Sequence, residues 1–274
     1  MTDDGLDDLV ERARGGDRAA LEGLLVAVQD DVHRLALRMT GSPDDALDAT
    51  QEILISVMTR LSTFKGEAAL RTWVHRVAVN HLLDRKRSAV ERFELTFSAF
   101  ADDLHAGLTP VAPNSGPELD VLAREVKHGC TLAMLTCLDR SLRVVYILGE
   151  VFGVSSADGA WICGTTEAAY RKRLSRARAA IREFVAEYCG LVAPARARCH
   201  CSKRVAAAIS LGRIDPHVGD QPSPAVIDAA TAEMEALYDA AQLMRSVNDE
   251  AAPEAVAVRI RSLMRSSRYQ IVGP

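Results

Sequence analysis

Apolar side chains recur at helical spacing early in the chain, and this feature constrains the fold more than any other. After Asp17 they fall three and four residues apart, at Leu21, Leu24, Leu25, Val28, Val32, Leu35 and Met39. This spacing puts them on one face of an α-helix, which Gly41 would end. Ser42 and Pro43 then predict the start of a second helix, because serine caps helices and proline is accepted in their first turn.

The rest of the chain also follows helical patterns. A third helix is predicted from near Leu70, and helical spacing resumes from Glu118 to Tyr188. Residues 88–116 lack a sustained period and contain the prolines and glycines of a linker. The segment CGLVAPARARCHCSKR is expected to be irregular, and a second linker follows it. Only residues 269–272 suggest an extended strand, so the sequence predicts an all-α fold.

Two amphipathic helices are predicted near the end of the chain. One would bury Ile227, Met234, Leu237, Tyr238, Ala241 and Met244, and the other Val256, Ile260, Leu263 and Met264.

Length and composition limit the class of protein. A chain of 274 residues with 48% hydrophobic residues can form two or three compact units. No apolar run approaches the length of about 20 residues that spans a bilayer, and the N-terminus is acidic where a secretory signal would be basic. We therefore expect a cytoplasmic protein that does not contact a membrane.

Charge is segregated along the sequence. The net charge of −4 argues against indiscriminate nucleic-acid binding, and residues 1–59 carry 13 acidic against 5 basic side chains. Two segments reverse this balance. They contain Lys65, Arg71, Arg76, Arg85, Lys86 and Arg87 in the first, and Arg171, Lys172, Arg173, Arg176, Arg178 and Arg182 in the second.

The first basic segment overlaps the third predicted helix. Its inward side would hold Val74, Val77, Ala78 and Leu82, and its outer side Trp73, Arg76, Asn80, Asp84 and Arg87. An exposed tryptophan beside guanidinium and amide groups suits unpaired DNA, because the ring can stack on a base. Periodicity alone leaves the alternative open that this is a solvated basic face with Trp73 in the core.

The second basic segment has the order of a helix-turn-helix. A short helix, the turn Gly164-Thr165-Thr166 and a longer basic helix follow one another. The longer helix would bury Tyr170, Leu174, Ala177, Ile181 and Phe184, leaving its arginines on the opposite side. Arginine binds guanine edges and phosphates, so this side suits the major groove. A basic surface helix without a ligand is the alternative.

Residues 6–88 resemble region 2 of the extracytoplasmic-function (ECF) sigma factors of bacterial RNA polymerase. The resemblance rests on RLALRMTG, DALDATQE and RTWVHRVAVN in the family's order and spacing. It implies that Asp48, Gln51 and Glu52 dock on the clamp helices of the polymerase's largest subunit; without it they would be assigned to an ordinary solvated helix face. It also implies that the promoter −10 element is opened and bound by Lys65, Gly66, Glu67, Ala68, Trp73, Arg76, Asn80 and Arg85.

Residues 118–187 resemble region 4 of the same family, which contacts the polymerase flap and the promoter −35 element. The resemblance assigns −35 binding to Arg171, Lys172, Arg173, Ser175, Arg176 and Arg178. Two departures put the promoter preference in doubt: Asp139-Arg140 replaces the usual proline pair, and Glu167 replaces a small apolar residue.

The resemblance predicts a sigma factor organised as region 2 (1–88), linker (89–117), region 4 (118–188) and a helical C-terminal extension (189–274). Its expected partners are core RNA polymerase, promoter DNA and an anti-sigma protein, with no chemistry of its own and no required cofactor. A stand-alone helix-turn-helix regulator is the alternative. An enzyme within 189–274 is disfavoured, because we find no phosphate loop, Ser/His/Asp set or paired carboxylates there.

The extension contains a candidate metal site. Cys189, Cys199, His200 and Cys201 could bind zinc or copper, with His217 or Cys163 as a further ligand. Redox-sensitive thiols and inert cysteines are the alternatives. The position of the terminal helices after two sigma regions suggests the further hypothesis that they regulate the factor.

Overall fold

The computed structural model describes residues 3–109, 117–219, 225, 239–246 and 251–265. Within these ranges every extended regular element is a helix, which confirms the all-α prediction. The α-helices are α1 (Asp3–Arg14), α2 (Arg18–Thr40), α3 (Pro43–Arg60), α4 (Leu70–Asp84), α5 (Ala89–Arg92), α6 (Phe97–Ala106), α7 (Pro117–Thr136), α8 (Arg140–Tyr146), α9 (Ser156–Ile162), α10 (Glu167–Tyr188), α11 (Cys201–Ser210), α12 (Ala240–Arg245) and α13 (Glu254–Arg265).

Helices α1 to α4 form the N-terminal unit, in which both ends of α2 and the start of α3 lie where the sequence predicts them. The Asp17 carboxylate accepts a hydrogen bond from the Ala19 amide at 2.9 Å at the start of α2. Gly41 ends α2 with a φ of 67°, a left-handed conformation that glycine adopts without steric cost. The Ser42 hydroxyl caps α3. Helices α2 and α4 bury their predicted apolar faces, and α3 packs against both of them.

Helices α7 to α10 form the second unit. The predicted stripe of α10 is buried, with Tyr170 completely enclosed. Gly159 in α9 permits this packing, because a Cβ atom there would lie 2.3 Å from the Tyr170 ring. Helices α9 and α10 therefore meet as a helix-turn-helix, joined by the predicted turn around Gly164.

Much of the predicted linker is helical. Helix α5 is held by a capping box, in which Ser88 and Glu91 each bond the other's backbone amide. Helix α6 buries Phe100 and Leu104, and Phe100 stacks on Phe184 of α10 at a centroid distance of 5.4 Å. The expectation of irregular structure is wrong for these residues, because helices of so few turns leave little periodicity to detect. Residues 110–116 lie outside the described residues.

A buried ion cluster joins the two units. The Glu91 carboxylate accepts hydrogen bonds from Arg140 Nη2 at 2.7 Å and from Arg143 Nη1 at 2.8 Å. Arg143 also donates to the carbonyl oxygen of Met39 in α2. Burial works to raise the pKa of Glu91, but hydrogen bonds from Arg140 and the Ser88 amide hold it below its ordinary value. This cluster links α2, α5 and α8.

The C-terminal extension packs along both units. Residues 201–204, expected to be irregular, instead begin α11, which lies against α7 and buries Val205 and Ala208. Met244 of α12 and Val256 and Ile260 of α13 are buried, as predicted. Other predicted apolar positions lie outside the described residues or have side chains that are not described, namely Ile227, Met234, Leu237, Tyr238, Leu263, Met264 and 269–272.

None of the helices in the described ranges combines the length and the apolar character needed to cross a lipid bilayer.

Candidate functional site

The predicted docking face of α3 is only partly at the surface. Asp48 is exposed, and the Glu52 side chain retains 57% of its accessible surface. A Glu52 carboxylate oxygen lies 3.0 Å from His81 Nε2 of α4 and 3.6 Å from an Arg85 guanidinium nitrogen. Gln51, expected to be exposed beside them, is buried with 6% of its surface accessible. The structure therefore presents the two carboxylates and covers the amide.

The loop before α4 and the start of that helix line one cavity of about 210 Å³. Its lining residues are Thr63, Phe64, Lys65, Glu67, Ala68, Trp73, Arg76 and Trp161. Five of the predicted −10 residues therefore meet in one place. Gly66 forms the bend in this loop with a φ of 73°, and no atom lies within 4 Å of where its Cβ would be.

Trp73 combines the two roles that the sequence left as alternatives. Its ring is half-buried and packs against the core, with its centroid 5.5 Å from that of Phe64. It also lines the cavity, where Arg76 lies beside it. The core contact fixes the ring beside the guanidinium group without enclosing it.

Trp161 closes this cavity from the second unit. It lies on α9, and the Arg76 guanidinium carbon stands 4.4 Å from its ring centroid. Close by, the buried His75 ring stacks on Phe152 at a centroid distance of 5.5 Å. Burial and then Arg71 lower the pKa of His75, although Asp31 opposes them, so the neutral ring is favoured. Sequence reasoning missed Trp161; its signal was that the chain contains only two tryptophans.

The remaining predicted −10 residues lie toward the end of α4, with Arg85 as the residue that follows it. Asn80 is exposed and lines a second groove of about 310 Å³ together with Glu52 and Arg85. Arg85 also lies 3.4 Å from an Asp45 carboxylate oxygen of α3. The structure therefore separates Asn80 and Arg85 from the Trp73 cavity and places them beside the predicted docking face.

Helix α10 presents its basic side to solvent. Its exposed members are Arg171, Lys172, Ser175, Arg176 and Arg178, whereas Arg173 is half-buried. Arg171 pairs with Glu167 one turn earlier, so this unusual glutamate balances a predicted DNA-binding charge. Arg178 Nε donates to the Glu150 carboxylate at 2.8 Å. Lys172, Ser175 and Arg176 extend between these two ion pairs.

All four predicted metal ligands line one cavity, with one addition. Cys189, Cys199, His200 and Cys201 border a space of about 20 Å³ together with Cys130 of α7. Burial raises the pKa of the Cys199 thiol to about 11, and nearby Cys189 adds to the effect. Burial, then the other three thiols, raises the pKa of Cys130. Sequence reasoning missed Cys130, which lies far away along the chain.

The other proposed ligands are differently placed. Cys163 lies in the helix-turn-helix near Arg173, where burial raises its pKa to about 11. His200 Nδ1 lies 2.9 Å from the Ser202 hydroxyl. Among the residues that the structure describes, no three His, Cys, Asp or Glu side chains stand close enough together to hold a metal ion. Metal binding by Cys189, Cys199, His200 and Cys201 stays a prediction.

Comparisons with known proteins point to one family. Residues 24–92 match the family Sigma-70 region 2. The chain is 33% identical over 181 residues to RNA polymerase sigma factor NccH of Alcaligenes xylosoxydans xylosoxydans, covering 65% of this chain and 94% of that protein. It is 32% identical over 181 residues to ECF RNA polymerase sigma-E factor of Escherichia coli (strain K12), covering 63% and 90%.

Two solved structures are also similar. One is CnrH in complex with the cytosolic domain of CnrY, with a TM-score of 0.44, 24% identity, and coverage of 64% of this chain and 94% of that chain. The other is the sigma factor RpoE in complex with the anti-sigma factor NepR from Bartonella quintana, with a TM-score of 0.40, 19% identity, and coverage of 59% and 93%.

Proposed function

Since the chain belongs to the ECF group of RNA polymerase sigma factors, we propose that it binds core RNA polymerase and directs it to promoters. The observation that carries this proposal is the alignment with a named sigma factor over 94% of that protein's length. The alignment covers 181 residues, which is more than either the α1–α4 unit or the α7–α10 unit contains. The similarity therefore extends beyond a single unit.

The tasks divide between the surfaces described above. The exposed carboxylates Asp48 and Glu52 would contact the polymerase clamp helices. The cavity beside Trp73 and Arg76 would receive the unpaired −10 strand, because an aromatic ring and a guanidinium group can hold a base and a phosphate together. The basic side of α10 would enter the major groove at the −35 element.

The protein would act in the cytoplasm and carry out no reaction itself, leaving RNA synthesis to the polymerase. A sigma factor needs only binding surfaces for this task, and no cofactor.

Run-off transcription with purified core polymerase and a genomic DNA library tests the proposal and recovers the promoter motif. Changing both Asp48→Arg and Glu52→Arg should abolish promoter-specific transcripts, because it reverses the charge of the exposed docking groups. Glu11→Arg, a charge reversal of the same kind at one exposed position of α1, is the control and should leave transcription intact. A stand-alone DNA-binding regulator would instead bind DNA unchanged by the Asp48 and Glu52 substitutions and yield no transcripts with any variant.

We also propose that the cysteines Cys130, Cys189, Cys199 and Cys201 hold a thiophilic ion such as zinc or copper(I). Support comes from their shared cavity and from the preference of such ions for thiolates. Binding would require the side chains to move inward and the buried thiols to lose their protons. Metal analysis of protein purified under reducing conditions should find an ion that Cys130→Ser removes and Cys163→Ser retains; equal content in both variants would contradict this site.

A further inference from the structure

The last helix of the extension lies against the unit that carries the proposed polymerase-docking face. Helix α13 packs on α3 and α2, and its Val256 and Ile260 side chains are 0% and 5% exposed. The Ala252 amide just before it donates to an Asp30 carboxylate oxygen of α2 at 2.9 Å. The helix is therefore anchored by both apolar and polar contacts.

The side of α3 that α13 covers follows from its other neighbours. Helix α4 lies on the side of Asp45 and Glu52, since its His81 and Arg85 contact those carboxylates. The main core stripe of α3 faces α2. Helix α13 therefore lies on the remaining side, where Gln51 and Met58 recur at helical spacing and are 6% and 2% exposed. A helix on this side is expected to bury Gln51 and to leave Asp48 and Glu52 exposed, which is the observed pattern.

Charge also suits α13 to this place. The described part of α13 after its first residue carries Arg259 and Arg261 and no acidic side chain. Arg261 lies 3.8 Å from a Glu22 carboxylate oxygen of α2, within the acidic N-terminal part of the chain. A helix packed on α3 competes with any other partner that docks on the same side of α3.

The preceding helix of the extension contacts the other sigma region. Helix α12 packs on α10 and buries Leu243 and Met244. Arg245 Nη1 donates to the Glu150 carbonyl oxygen at 3.2 Å, and Glu150 in turn pairs with Arg178 of α10. The extension thus holds both DNA-binding units, with α13 on one and α12 on the other.

We propose that α13 is an internal competitor of the polymerase, which occupies the Gln51 side of α3 and must leave before core enzyme binds. This inference rests on the proposed function, because it assumes that the same face of α3 docks on the polymerase. Only molecules in which α13 is detached can bind core enzyme. The apparent affinity of the free chain for core enzyme is therefore the affinity of the uncovered α3 surface multiplied by the fraction of such molecules.

The test compares full-length variants in binding to core RNA polymerase and in run-off transcription. Val256→Asp with Ile260→Asp puts two carboxylates into the buried α13 contact, and should strengthen core binding by on the order of tenfold or more because an uncompensated buried charge detaches the helix. Val258→Asp is the matched control, since Val258 lies on the same helix with 52% of its surface exposed. It should bind core enzyme like the unmodified chain.

The milder pair Val256→Ala with Ile260→Ala covers the case in which the aspartates prevent folding, and should strengthen binding in the same direction. Helical circular dichroism and a cooperative thermal transition establish that each variant is folded. Equal core binding by the unmodified chain and the folded α13 variants would overturn the competitor role while leaving the sigma function intact. Failure of every variant to bind core enzyme would instead overturn the proposed function, and this inference with it.

Discussion

Glu91 is the residue on which the junction between the two units depends. Its carboxylate is 4% exposed and faces the guanidinium groups of Arg140 and Arg143. Glu91→Gln removes the negative charge and leaves the buried Arg143 close to the half-buried Arg140, so we expect a loss of about 3 kcal/mol in the free energy of unfolding. Urea denaturation measures this. Glu94→Gln is the control: Glu94 pairs with Arg87 but is 73% exposed, so its replacement should cost at most about 1 kcal/mol.

The effect of Glu91 should depend on pH. Its folded-state pKa lies below the ordinary value of 4.5, so the unfolded chain binds more protons in this range and the contribution of Glu91 to stability rises with pH. That contribution is complete above 4.5 and is lost as the pH falls through the folded-state value. The stability difference between the original chain and Glu91→Gln should therefore shrink in acid, and a constant difference from neutral pH to acid would contradict the ion cluster.

Sequence analysis singled out Asp139-Arg140 as a departure from the family's proline pair, but it did not predict the contacts that these two residues make. Asp139 caps α8 by accepting from the Leu142 amide at 2.9 Å, and Arg140 binds Glu91. The capping role could be predicted from local spacing, because aspartate favours this position. The ion pair could not, since it joins residues 49 positions apart that meet only after both units have folded.

At the scale of single elements, the long helices were predictable and the short ones were not. Helices α2, α3, α4 and α10 each repeat their apolar residues over several turns, so their faces and most of their ends could be located. Helices α5, α6 and α11 are held instead by a capping box, an aromatic stack and contacts with α7. The candidate site followed the same rule: periodicity could place its candidates on α4 and α10 on one side of each helix, whereas Trp161 and Cys130 reach their positions only through tertiary packing.

Helix α9 should restrict access to the cavity beside Trp73. Trp161→Leu keeps an apolar side chain but removes the ring over Arg76, a cation–π contact of about 1 kcal/mol. We expect single-stranded DNA carrying the −10 sequence to bind about five times more tightly, since the cost of breaking this contact disappears. Trp161→Phe retains a ring and should change binding less. Fluorescence anisotropy measures both, and equal affinities for the original chain and Trp161→Leu would refute the proposed closure.

Helix α10 should bind the −35 duplex through its exposed basic side. Arg176→Ala removes one cation near the middle of that side, which should weaken duplex binding and lower the slope of log affinity against log salt by about 1. Arg196→Ala is the control, because Arg196 is an exposed arginine of the extension rather than of α10. An unchanged salt dependence for Arg176→Ala would remove this residue from the DNA interface.

At the scale of the whole molecule, the contacts between units describe one closed arrangement. The Glu91 cluster joins α2, α5 and α8, Trp161 covers Arg76, and the extension binds α10 through α12 and α3 through α13. Under the proposed function, the two units would bind promoter elements that lie apart on the duplex. The closed arrangement would then have to open, and each of these contacts opposes opening.

Small-angle X-ray scattering can measure this opening directly. A compact globular chain of 274 residues has a radius of gyration of about 19 Å, and we expect the free protein to be close to that value at neutral pH. Combining Glu91→Gln with Val256→Asp and Ile260→Asp weakens two separate contacts, so the radius should increase while helical circular dichroism stays unchanged. Glu94→Gln combined with Val258→Asp makes similar chemical changes at exposed positions and should leave the radius unaltered. A free protein that already scatters as two separated bodies would show that these contacts do not hold the units together in solution.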